Sequence, residues 1–127
     1  MQHAANAYAK VAKTTQSGRE LEAAVLMNAA TRLQGIRENW DKRHGELGDA
    51  LTYNRKLWTI LVTSVTRPDN PLPQLIKQNI VTLGMFIFSH TLDTLVEPGP
   101  ERLGVLIKIN RELAAGLRER AQAAAAP

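Results

Sequence analysis

The sequence contains no cysteine, and aromatic residues make up only 5% of it. Without thiols there is no disulfide framework and no thiolate zinc site, which fits a reducing compartment. Met1–Lys10 lacks the apolar core of a signal peptide. The richest apolar stretch, Ile80 to Phe88, falls short of the roughly 20 residues of a membrane span. Strand signals are missing too, since Val, Ile and Thr nowhere alternate with polar residues over a strand length. There is no Gly-rich phosphate loop, no H-E-x-x-H and no nucleophile elbow. These absences argue against secreted, membrane-spanning and enzymatic classes, and no cofactor or metal is expected.

What is present is 127 residues, 44% hydrophobic and 22% charged. A chain of that length buries roughly 65–70% of its unfolded surface, enough for one core, so residues 1–127 read as a single domain. The net charge of +4 and pI near 9.8 admit an acidic partner. They do not point to nucleic acid. Basic and acidic residues interleave, as in Arg37-Glu-Asn-Trp-Asp-Lys-Arg43 and Arg118-Glu-Arg120, so no basic groove with stacking aromatics emerges.

Apolar periodicity predicts an all-α antiparallel bundle of about four long helices with a short N-terminal segment. Residues 1–16 read as an arm, in which Asn6–Lys13 could be helical around Tyr8 and Val11. Ser17-Gly-Arg-Glu20 is a capping-box pattern that predicts the start of the first long helix. Leu21, Val25, Ala29, Leu33, Ile36 and Trp40 then form an inward stripe ending near His44-Gly45. Leu47, Ala50, Leu51, Asn54, Leu57, Trp58, Leu61 and Val65 mark the second helix, stopped by Pro68. Asn70 as N-cap and Pro71 as first residue open a third helix to about Leu95. That helix carries two apolar stripes, Ile76/Ile80/Leu83/Ile87 and Val81/Met85/Phe88/Leu92, so it should sit between neighbours or face a partner. A fourth helix from Pro100 or Glu101 turns Leu103, Leu106, Ile107, Asn110, Leu113 and Leu117 inward and frays over the Ala-rich residues 121–127.

Polar residues on these stripes carry more information than the rest. Asn54, Asn79 and Asn110 each stand inward or at an edge. An amide there either bonds a neighbouring helix and fixes register, or faces a groove and orients an incoming helix. Trp58 shares the stripe of Asn54 and divides the same way, and Trp40 at a helix end suits a half-exposed ring. His90 and Asp93 share one helix face at a spacing two metal ligands could use, but no further ligand pair is in view. Leu51-Thr-Tyr-Asn-Arg-Lys-Leu57 and Ile107-Lys-Ile-Asn-Arg-Glu-Leu113 echo one another, as two helices of like periodicity often will by chance.

Several blocks together resemble the FlaF family of bacterial flagellar biosynthesis proteins. They are Asn6-Ala-Tyr8, Arg19-Glu-Leu-Glu22, Ala50-Leu-Thr-Tyr-Asn-Arg-Lys-Leu-Trp58, Asn70-Pro-Leu-Pro73, and Leu106-Ile-Lys-Ile-Asn-Arg111 with Gly116-Leu117. The Asn-Arg-Lys-Leu-Trp block and the later Asn-Arg are the most specific parts, while Met85-Phe-Ile-Phe88 and the tail after Gln122 depart from the pattern. The resemblance implies a small cytoplasmic, non-catalytic protein that promotes flagellin synthesis or secretion, opposed by the regulator FlbT, which acts on flagellin messenger RNA. It suggests a chaperone-like factor that takes an amphipathic flagellin helix into an apolar groove. The alternative is a post-transcriptional regulator acting through flagellin mRNA or FlbT without binding flagellin. For partner binding the candidates are Tyr53, Asn54, Arg55, Trp58, Asn110 and Arg111, with Arg55 and Arg111 as a polar rim and Asn54 and Asn110 orienting backbone. The same residues would serve equally as an internal lock of the bundle.

Overall fold

The computed structural model describes the backbone of residues 2–125 and the side chains of residues 18–123. Four long helices and one short one follow in order: α1 (Gln2–Glu38), the single turn α2 (Trp40–Arg43), α3 (Leu47–Val65), α4 (Gln74–Val96) and α5 (Gly104–Ala125). Short 3-10 turns, His44–Glu46 and Pro100–Arg102, lead into α3 and α5. No strand occurs among the described residues.

Alanines explain the most extensive seam. Ala23, Ala29 and Ala30 on α1 and Ala114 and Ala121 on α5 are buried, and their small side chains let the two helices run close along much of their length. Leu26, Leu33 and Ile36 from α1 meet Leu51 and Trp58 from α3, Leu103 just ahead of α5, and Leu106 and Leu117 from α5 in one core. Each such aliphatic side chain contributes roughly 1.5–3 kcal/mol by leaving water. α4 is placed differently. It packs extensively on α3 alone and scarcely approaches α5.

Several helix limits differ from the sequence expectations, each for a local reason. The backbone is helical without a break from Gln2 to Glu38, so no helix begins at Ser17. The Ser17 hydroxyl and the packing of Asn6–Lys13 lie outside the described side chains. Arg19 pairs with Glu22 at 3.2 Å inside that helix. The inward face of α1 is centred on Leu26, Ala30 and Leu33, and Leu21 is 66% exposed. The break after α1 falls at Asn39, whose backbone leaves helical geometry and whose side-chain amide donates to the Gly35 carbonyl at 3.0 Å. Beyond it, Arg43 grips Glu46 through two hydrogen bonds of 2.8 and 3.1 Å and holds that carboxyl below its ordinary pKa range. Trp40 is half-buried beside this corner.

The third long helix starts at Gln74 rather than Pro71. Pro73 pushes Leu72 out of helical geometry, so the helix can begin only after that second proline. Asn70 does not cap it. Its Oδ1 accepts from the Leu72 backbone at 3.0 Å, and its Nδ2 donates to the Ser64 carbonyl at 3.1 Å. The turn is thereby stapled back onto α3. The last long helix likewise starts at Gly104, after the 3-10 turn, and remains helical to Ala125 with Ala121 buried. Residues 121–125 of the tail expected to fray thus continue the helix.

On α4 the buried row is Ile80, Gly84, Ile87, Thr91 and Thr94, the spacing of a packed helix seam. Ile80 and Ile87 of the first expected apolar stripe belong to this row, and the other residues of the two stripes flank it. Met85 and Leu92 are exposed, and Ile76, Val81, Leu83 and Phe88 are half-buried. The short run Ile80–Phe88 is embedded in a 23-residue helix that is long and apolar enough, by length and composition, to cross a membrane.

Gly84 lets α4 lie close to α3. A Cβ there would collide with Val62 Cγ2 and reach Trp58 Cε3 at 3.7 Å. Gly84→Val should destabilise the fold by about 1–3 kcal/mol despite its better helix propensity than glycine. Urea unfolding followed by circular dichroism checks this.

Candidate functional site

Three residues expected near a partner lie inside the core. Asn54, Trp58 and Asn110 are all fully buried. Trp58 Nε1 donates to Asn110 Oδ1 at 2.9 Å, and Asn110 Nδ2 donates to Asn54 Oδ1 at 2.7 Å. The same Nδ2 reaches the Leu26 carbonyl at 3.5 Å. The network therefore joins α1, α3 and α5, and its side chains cannot orient an incoming helix. They form the internal lock. Asn54 Nδ2 and Thr91 Oγ1 find no hydrogen-bond partner among the described residues.

The sequence echo acquires a physical meaning here. Asn54 and Asn110 hold equivalent places in their two blocks and bond directly to each other. The following arginines, Arg55 and Arg111, point outward and form no ion pair among the described residues. Tyr53 is 40% exposed. Of the six candidates, only Tyr53, Arg55 and Arg111 are thus accessible.

The open apolar surface is elsewhere. Because α4 leans on α3 while α5 leans on α1, a groove of about 250 Å³ opens between α4 and α5. Ile76, Ile80 and Leu83 form one wall and Ile109 and Leu113 the other, with Asn79 and Glu112 at the edges. Arg111 lies across α5 from Ile109, and Tyr53 and Arg55 belong to α3, which supplies neither wall. One end of α4 is tied down: His90 Nε2 donates to the Arg102 carbonyl at 2.6 Å, with its ring stacked on Phe86. That bond engages the His90 nitrogen, and no cluster of three or more metal-ligating side chains occurs among the described residues.

Periodicity put Ile76 and Leu83 on an apolar stripe of a helix that should sit between neighbours or face a partner, and turned Leu113 inward, but it did not single out Ile109. The available signal was the excess of apolar residues round α4, which exceeds what one neighbour can cover. Leu75, Met85, Phe86, Leu92, Leu95 and Val96 are all exposed.

The family model for the flagellar protein FlaF matches residues 4–117, nearly the whole chain. The chain belongs to the FlaF family. No curated protein and no solved structure matches it. The family match spans both Asn-Arg blocks and both walls of the groove, so the lock and the open seam fall within the FlaF homology region.

Removing the hub of the lock leaves two buried groups without partners. Asn110→Ala should cost about 2–4 kcal/mol, and Trp58→Phe about 1–3 kcal/mol. A double-mutant cycle between the two positions should show coupling of at least about 1 kcal/mol. By contrast, Arg55→Glu and Arg111→Glu should change stability by no more than about 0.5 kcal/mol. Chemical denaturation of the set distinguishes a lock from a contact surface.

Proposed function

We propose that this flagellar protein is a cytoplasmic, non-catalytic chaperone-like factor that binds flagellin. In this reading the α4–α5 groove receives an amphipathic flagellin helix through apolar anchors at helical spacing. The observation that carries the reading is the open seam, where Leu83 and Ile76 of α4 stand across from Ile109 and Leu113 of α5 without filling the space between them. Buried apolar area drives the association, and Glu112 and Asn79 at the edges supply polar contacts that orient the guest. The seam is short, so the interface belongs to the standard size class or below, roughly 1,600 Å² or less, and the cargo can be released when export pulls on it.

Membership of a flagellar protein family supports the flagellar context. The burial of Asn54, Trp58 and Asn110 supports reading the α4–α5 walls, rather than the α3 block, as the contact surface. The interleaved charges give no favoured path for RNA.

Mixing the protein with monomeric flagellin should give co-elution in size exclusion at tens of micromolar. Leu83→Asp and Leu113→Asp should each weaken binding by about tenfold or more, because a carboxylate would enter an apolar contact. Arg111→Glu, across α5 from the groove, should bind as the parent does. Absence of co-elution, or binding of flagellin leader RNA with a steep salt dependence in its place, would contradict the proposal.

A further inference from the structure

A second surface lies on the opposite flank of α4. At the α3–α4 corner a concavity of about 750 Å³ is lined by Arg67 and Lys77, by the polar Gln74 and Gln78, and by the apolar Val65 and Val81. No acidic side chain lines it. Neither cation forms an ion pair among the described residues. Two unneutralised cations from different elements, converging on one hollow, create a positive potential that a carboxylate-bearing ligand would satisfy.

The hollow continues into an apolar row. Val81 lines it and begins the row Val81, Met85, Phe88, Leu92, whose spacing of four, three and four puts all of them on one flank of α4. Met85 is 56% and Leu92 62% exposed. From Gln78 to Leu92 the helix carries no Asp, Glu, Lys or Arg. The surface is therefore basic at one end and uncharged and greasy along the rest. At a rise of 1.5 Å per residue the row extends about 16 Å, the length of roughly three helical turns in a partner.

We propose that this flank docks an acidic amphipathic helix of a protein partner, separate from the α4–α5 groove. Carboxylates at one end of that helix pair with Arg67 and Lys77, and its apolar residues lie on Val81, Met85, Phe88 and Leu92. The charge is confined to one end and set in a hollow, which suits a helix with an acidic terminus. A lipid surface would call instead for cations spread round an apolar plane. The interaction is distinct from the one proposed above, because Val81, Met85 and Phe88 do not line the groove.

The test titrates isotope-labelled protein with two synthetic Leu/Ala helical peptides of about 14 residues. They are identical except that one carries a Glu cluster and the other a Lys cluster at one end. The Glu peptide should shift the amide resonances of Arg67, Lys77, Val81 and Met85, and bind about tenfold more tightly than the Lys peptide at low salt. R67E/K77E, at accessible positions and checked for unchanged helicity, should reverse that preference. Met85→Gln should weaken both peptides. Equal binding of the two peptides, no binding of the Glu peptide, or shifts confined to Ile76, Leu83 and Ile109 would overturn the proposal. So would co-sedimentation with phosphatidylglycerol vesicles that R67E/K77E abolishes, since a membrane would then be the occupant.

Discussion

A buried carboxamide must find hydrogen-bond partners or forfeit the free energy of the water it left, and at Asn110 those partners come from two other helices. Its oxygen accepts the Trp58 indole N–H, and its nitrogen serves Asn54 and the Leu26 carbonyl. These directional bonds set the register of α5 against α1 and α3 in a way that apolar packing alone would not. The close α1–α5 seam, made by facing alanines, gains from these directional bonds a preference in the rotation and longitudinal setting of α5.

The lock also determines what is left over. With α1, α3 and α5 joined at one point, α4 remains outside the network and is held along one side by α3. Its seam is thin, built from Ile80 and Ile87 with Gly84, Thr91 and Thr94 between and beyond them. Its ends are pinned by local devices, the Asn70 staple at the start and the His90–Arg102 bond near the finish. Between those pins both flanks present apolar side chains. A helix that needs two neighbours and has one is the physical basis for reading this FlaF-family protein as a binder of other helices.

The elements were legible where periodicity is strong. The inward row Leu51, Asn54, Leu57, Trp58, Leu61, Val65 is buried throughout, as spacing alone required. Boundaries were less so, because they turn on details such as which of two nearby prolines lies closer to the helix. At α4 it is Pro73, through its effect on Leu72. The candidate site was half visible. Spacing placed Asn54, Trp58 and Asn110 on inward faces, but only three-dimensional proximity tells an amide that bonds a neighbouring helix from one that waits for a guest. The groove was hidden for a related reason: Leu83 and Leu113 have the same periodicity as core residues, and their exposure depends on how far apart α4 and α5 sit.

Native-state hydrogen exchange of the free protein tests the central claim that α4 is the least secured of the long helices from α3 onward and stands outside the Asn110 network. Amides of α4 between Ile80 and Thr91 should exchange through a sub-global opening at least about 1–2 kcal/mol below that of α3 and α5. The latter two should open together, near the global limit. If α4 exchanges only with global unfolding, at the same free energy as the residues round Asn54 and Asn110, it is an integral part of a sealed core and the account fails.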